Sequence, residues 1–222
     1  MTLRSVLKKG IYAMVFVISF SWTSLAYAHQ PRLVTGPRIV EVQNPEISQA
    51  FYSKLNGESQ IYQIKQDKPF ILYLNILTPD LPDARTDWLV YIYKKTDKRP
   101  YFIDKLDGEN FTWQKYHEEF ANDDYLKGPE WKKEVEAGLY LIEVKNKDSQ
   151  GKYSLAIGEK EKFPLSEIKN TINILPDIKT QIFNKPVYSA FTNRIGLFLL
   201  LPFILLFIII ALTVFIYMKL KK

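Results

Sequence analysis

Two histidines, His29 and His117, are the only imidazoles in a 222-residue chain that contains no cysteine. His29 follows "SLAYA", where Ala26 and Ala28 make the small-x-small pattern of a signal-peptide cleavage site. A cut after Ala28 would leave His29 first in the mature chain, and its amine and imidazole, together with the imidazole of His117, are the ligand types of a copper(II) histidine brace. That chemistry needs residues 29 and 117 within a few ångströms of each other. "HQPR" opens a polar stretch with nothing evident to hold it, and termini stay loose unless tied down. An incidental His29 is therefore the simpler reading and copper(II) the alternative. Between residues 29 and 194 there is no methionine, which removes soft copper(I) ligation.

Other chemistry leaves fewer traces. A zincin helix needs a second histidine four residues after the first, and "HEEFA" puts Ala121 there. No G-x-S-x-G elbow and no phosphate-cradling G-x-x-x-x-G-K-[ST] loop occurs. Neighbouring acids such as Glu118 with Glu119, or Asp123 with Asp124, sit in a lysine-rich stretch where solvation is their ordinary role. A hydrolase of unrecognised type stays a second alternative, to be recognised by a deep cleft with convergent acids. The main reading is non-catalytic and needs no cofactor.

The aromatic residues offer more. Residues 111–136, "FTWQKYHEEFANDDYLKGPEWKKEVE", gather Trp113, Tyr116, Phe120, Tyr125 and Trp131 among acids and lysines. The segment is too long for a hairpin connection, so it is expected to fold over one end of the domain. Its rings either plug that end or form an exposed patch for a protein or glycan partner.

The elements that must position these residues read mostly as strand. "QIYQIK", "PFILYLNIL", "DWLVYIYKK", "GLYLIEVKN" and "GKYSLAIG" are rich in β-branched and aromatic residues and bounded by Gly, Pro, Asp and Asn. In the last two, Tyr140, Ile142 and Val144, then Tyr153, Leu155 and Ile157, alternate with other residues, which gives each strand one core face. "KDSQG" between them predicts a hairpin turn. Phe70–Leu77 is apolar on both faces except at Asn75, as expected of a central strand covered on both sides. A two-sheet sandwich over residues 29–160 follows most simply.

After it, Leu165, Ile168, Ile172 and Leu175 recur at helical spacing, stop at Pro176, and give way to Ile178 and Ile182. This predicts two short amphipathic helices within residues 161–194, ending in a tether. Residues 195–218 carry no charge, and at about 1.5 Å per residue they reach roughly 36 Å, enough to cross a bilayer. With residues 1–28 as a signal peptide and Lys219, Lys221 and Lys222 in a tail at 219–222, the expected topology has the sandwich outside the cytoplasm and the C-terminus inside. The expected location is the cell membrane, with a single pass.

The formal net charge of +6 belongs to the two ends. Three basic residues precede His29 and four lie from Arg194 onward, with no acid in either part, so the stretch between carries 23 basic against 24 acidic residues. A nucleic-acid partner, which would need a basic surface on the folded domain, is excluded.

The succession "IYQIKQDKPFILYLNIL", "TDWLVYIYKK" and "AGLYLIEVKNKDSQGKYSLAIG" resembles the bacterial prepeptidase C-terminal domain, a small secreted β-sandwich. The resemblance rests on Ala137, Gly138, Tyr140 and Val144 in one strand and on Tyr153, Leu155 and Gly158 in the next. It covers roughly residues 50–158 and implies a mainly β, jelly-roll-like fold with an accessory or binding role. The layout as a whole resembles single-pass bacterial envelope proteins. The chain departs from the domain family in having no protease domain and in carrying the 111–136 segment. The expectation is therefore a membrane-anchored, extracytoplasmic binding or scaffolding module.

Overall fold

A computed structural model describes residues 29–220; the expected signal peptide and the last two lysines lie outside them. Eleven strands are followed by short helices and a long apolar helix. In chain order the strands are β1 (Gln30–Leu33), β2 (Ile39–Val42), β3 (Gln49–Asn56), β4 (Gln60–Gln66), β5 (Phe70–Pro79) and β6 (Leu89–Lys94). Then come β7 (Tyr101–Asp107), β8 (Gln114–Glu118), β9 (Asp123–Val135), β10 (Gly138–Lys145) and β11 (Gln150–Ile157). Helix α1 (Leu165–Asp177) runs into a π-helical turn, Ile178–Ile182. A single 3-10 turn, Val187–Ala190, leads to α2 (Arg194–Leu220).

The strands form two sheets, a six-stranded one in the order β1-β3-β11-β5-β9-β8 and a five-stranded one in the order β2-β4-β10-β6-β7. Among the described strands every connection crosses from one sheet to the other except β6–β7 and β8–β9. Consecutive strands thus face each other across the core, and the arch β1–β2 lies parallel upon the arch β3–β4. Period-two alternation supplies the filling. Tyr62, Ile64, Leu72, Leu74, Val90, Ile92, Ile142, Val144, Tyr153 and Leu155 are fully buried between the sheets. The Tyr62 and Tyr153 hydroxyls share a hydrogen bond of 3.0 Å across that core, so the buried phenols are not left unpaired. At the end of β11, Gly158 has φ +79°, and a Cβ there would stand 2.4 Å from the carbonyl oxygen of Ile47.

Five expectations change. The "KDSQG" turn joins no hairpin, because β10 and β11 belong to different sheets. Asn146 binds both the backbone NH and the carbonyl of Gln150 and holds a corner across the sandwich. Residues 111–136 are no excursion over one end: β8 and β9 are a true hairpin, and β9 pairs along nearly all of β5. Strand β1 is tied to β3 from Gln30 onward, so the chain after His29 is held rather than loose. Helix α1 continues through Pro176 into the π-helical turn rather than stopping there; proline lacks the NH a helix interior needs, and the adjoining turn absorbs that irregularity. The outer side of β5 is covered only in part, since Ile71 is exposed.

Candidate functional site

The two sheets present unlike outer faces. On the six-stranded sheet, α1 and the π-helical turn lie against the outward residues, and a second small core forms from Tyr125, Ile178, Ile182 and Phe183 with Tyr52, Leu77 and Ile174. The β8–β9 turn is gripped from the same side. Lys179, with no exposed side-chain surface, pairs with the buried Asp123 at 2.6 Å, and Lys185 pairs with the other carboxylate oxygen at 2.8 Å. Lys179 also donates to the carbonyl of Ala121 and Lys185 to that of Asn122. Burial pulls the Lys179 ammonium below its ordinary value, and the hydrogen bond to Asp123 opposes that shift. The Asn193 amide donates to the Ala121 carbonyl, and the Ile195 NH to that of Phe120. The start of α2 is therefore fastened to the tip of the hairpin.

Beside this joint runs a crevice of about 120 Å³ whose lining includes Tyr116, Phe120, Ile168, Ile172, Leu175 and Phe198. It borders a second, tyrosine-walled chamber of about 190 Å³, floored by the small residues Ala50, Ser154 and Ala156 of the outer sheet surface. His29, Tyr52, Tyr116 and Glu118 line both. The Tyr52 and Tyr125 hydroxyls are 3.0 Å apart, and burial raises both phenols well above their usual range. The Glu118 carboxylate is spent on the turn, accepting from the backbone NH groups of Phe120 and Ala121 at 2.9 and 2.7 Å. His29 is exposed as a residue, but its ring bonds Ser48, and crowding by the surrounding atoms lowers its pKa while Glu118 opposes.

Of the residues singled out in the sequence, Tyr116, Phe120, Tyr125 and His29 thus meet around one crevice and chamber. Trp113 and Trp131 stand apart from it. The Trp113 ring lies over Gly128, and its indole NH donates to the Gly108 carbonyl at 2.8 Å. Trp131 faces inward and donates to Asp104 of β7, bridging the two sheets at 2.9 Å. A bulge in β9 between Lys127 and Glu130 is the reason: it breaks the alternation, so that Tyr125 is buried under the outer cover and Trp131 between the sheets, and the five aromatics are not one exposed patch. His117 is separated from His29 by strand alternation along β8. Its neighbour Glu118 shares the crevice with His29, whereas His117 turns to Asp124 at 2.7 Å and lines a different hollow with Glu119 and Arg194. Among the described residues no group of three or more His, Asp or Glu side chains is placed to hold a metal ion.

The outer face of the five-stranded sheet carries no such cover among the described residues. Its β6 turns Val90 and Ile92 inward and Tyr91 and Tyr93 outward. The two tyrosine rings lie 6.1 Å apart and nearly parallel, and the half-exposed Phe102 of β7 packs edge-on to Tyr93 at 5.9 Å. Pairing aligns Gln63, Leu141, Tyr93 and Phe102 in one row across four strands. Beside them Lys145 stands 4.5 Å from the Tyr91 ring centroid, and Glu143, bonded to Ser59 at 2.7 Å, completes a charged rim. Sequence reasoning passed over this patch, although the alternation in "LVYIYKK" carried the signal: two inward aliphatics fix two outward tyrosines.

The class defined by these observations is a mainly β, two-sheet sandwich followed by short helices and an apolar C-terminal helix. No protein-family model matches the chain, and no curated protein matches it. Among solved structures it is similar to the pre-peptidase C-terminal domain of a collagenase from Bacillus anthracis, with 11% identity over 58% of this chain and 94% of that one, and a TM-score of 0.32. It is also similar to a β-glucosidase from Paenibacillus barengoltzii, with 10% identity over 59% of this chain and 13% of the enzyme, and a TM-score of 0.23. Likenesses of this size carry no argument about activity or partner, and the description of the sandwich rests on the strand pairing of the chain itself.

Proposed function

We propose that the chain is a membrane-anchored, non-catalytic binding module, held by α2 and directed outside the cytoplasm, that meets a protein partner through the bare face of its five-stranded sheet. Among the described residues α2 is the one helix long and apolar enough to cross a membrane. The observation that carries the reading is the cluster Tyr91, Tyr93 and Phe102 on a solvent-facing sheet. Tyrosine and phenylalanine at the centre of a patch, with lysine and glutamate at its margin, match the anatomy of protein interfaces, where aromatic anchors carry most of the binding energy.

The test is a benzophenone amino acid placed at Tyr93 of the full chain in native membranes, with Lys54 on the opposite outer face as the control position. The expected result is a discrete protein adduct from position 93 that disappears when Tyr91 and Phe102 are both replaced by alanine. Equal labelling from both positions would overturn the reading. Retention on purified envelope glycan that depends on the same three rings would replace the protein partner with a glycan.

A further inference from the structure

The crevice between α1, the β8–β9 hairpin and the start of α2 is not needed by a face-binding role. Its lining changes character along its length. Towards α2 it is walled by Phe120, Ile168, Ile172, Phe198 and Leu199, while towards the sheet it meets the tyrosine-walled chamber. The first turns of α2 show one half-buried stripe, Ile195, Phe198 and Leu199, at i, i+3 and i+4, while Leu197 and Leu200 are exposed. The crevice is thus continuous with the apolar helix at the point where that helix leaves the sandwich. Thr171 supplies a second, independent observation: it lines the crevice, is 7% exposed, and its hydroxyl has no hydrogen-bond partner among the described residues. A buried hydroxyl left unpaired is costly, and a carbonyl brought in with an apolar chain would satisfy it.

We infer that the crevice holds one membrane phospholipid, its acyl chain lying between Phe120, Ile168, Ile172 and Phe198, and an ester carbonyl accepting from the Thr171 hydroxyl. The inference rests on the reading that α2 spans a bilayer. An acyl chain suits the site because it is already present beside α2 and matches apolar walls that offer it few polar atoms. A phospholipid suits it better than a bare hydrocarbon because the wall carries that one unpaired donor. The polar end of the lipid then points to the tyrosine-walled chamber.

The experiment uses the full chain in nanodiscs of phosphatidylethanolamine and phosphatidylglycerol containing a phospholipid with a diazirine on one acyl chain. After irradiation, adducts are mapped by peptide mass spectrometry. The expected pattern is labelling of residues 165–177 or 116–121 in addition to α2. Labelling confined to α2 would leave the membrane reading standing and overturn the lipid site. Absence of labelling on α2 as well would overturn both.

Ile168→Trp, which fills the crevice, is expected to lower the adducts outside α2 by about tenfold while those on α2 persist. Ile172→Trp, at a more exposed position, repeats the test should the first variant fold poorly. Thr171→Val, which keeps the shape and removes the donor, is expected to lower them by roughly two- to tenfold. Unchanged crevice labelling in all three variants would show that the lipid sits elsewhere.

Discussion

The two outer faces of the sandwich are built from the same strand grammar and meet opposite fates. Tyr52 and Tyr125, outward on the six-stranded sheet, are roofed by Ile174, Ile178 and Phe183. Tyr91 and Tyr93, outward on the five-stranded sheet, stack on each other beside Phe102, with the Lys145 ammonium over the Tyr91 ring. A tyrosine on a strand does not by itself announce a binding surface. Whether it becomes core or contact surface depends on where the chain after the last strand lies down, and here that chain chooses the sheet carrying β8 and β9. The covered face gains rigidity and a joint to α2, and the bare face stays available.

The comparison can be broken first at the joint. Asp123→Ala leaves Lys179 buried without its carboxylate, and removing one partner of such a pair costs about 3–5 kcal/mol. Chemical unfolding should show that loss, and the further change Lys179→Met should restore most of it. A variant as stable as the parent would show that the covered face is not locked by these charges.

Gly196→Ala comes next. A Cβ there would lie 1.7 Å from the Phe191 carbonyl oxygen, so the backbone at the entry to α2 must move, at about 1–3 kcal/mol. Hydrogen exchange at the amides of Ile195 and Gly196, which the Phe120 carbonyl and the Asn193 side chain hold, should quicken while that of the sandwich core does not.

On the bare face the effect on stability is expected to be small. Tyr91→Ala and Phe102→Ala should each shift unfolding by about 0.5 kcal/mol, as solvent-facing substitutions do, and yet weaken partner cross-linking from position 93. A large loss of stability from either would mean that this face, too, is core.

The smallest expected effect concerns pH. The folded chain holds His29 below its ordinary value because the ring is crowded, so the unfolded chain binds the proton more readily. Its contribution to stability is full above about pH 6.5 and declines as pH falls below that value. Comparing unfolding midpoints at pH 7.5 and 5.5 should show a difference that His29→Gln reduces.

Much of the fold could be read from particular residues. Tyr140, Ile142 and Val144 alternate and are buried as the alternation required, and the uncharged run ending near Met218 forms an apolar helix. Part of the site was legible too. Tyr116, Phe120 and Tyr125 do gather, because they flank one hairpin, and Tyr91 and Tyr93 were available to the same alternation rule. The remainder depended on pairings distant in the chain. Lys179 meets Asp123 across 56 positions. Arg32 meets Glu167 across 135 positions, at 2.7 Å. No local pattern marks either contact.

Sequence by itself determined that β4, β5, β6, β10 and β11 are strands, which side of β10 and β11 is apolar, and that residues 195–218 form a helix as greasy as a bilayer core, because these follow from periods of two or from composition alone. Only the tertiary structure decided which strands share a sheet, that β10 and β11 part company at Asn146, and which outer face lies under α1. Those choices are settled by packing among residues far apart in the chain, where burial of whole surfaces outweighs any local preference.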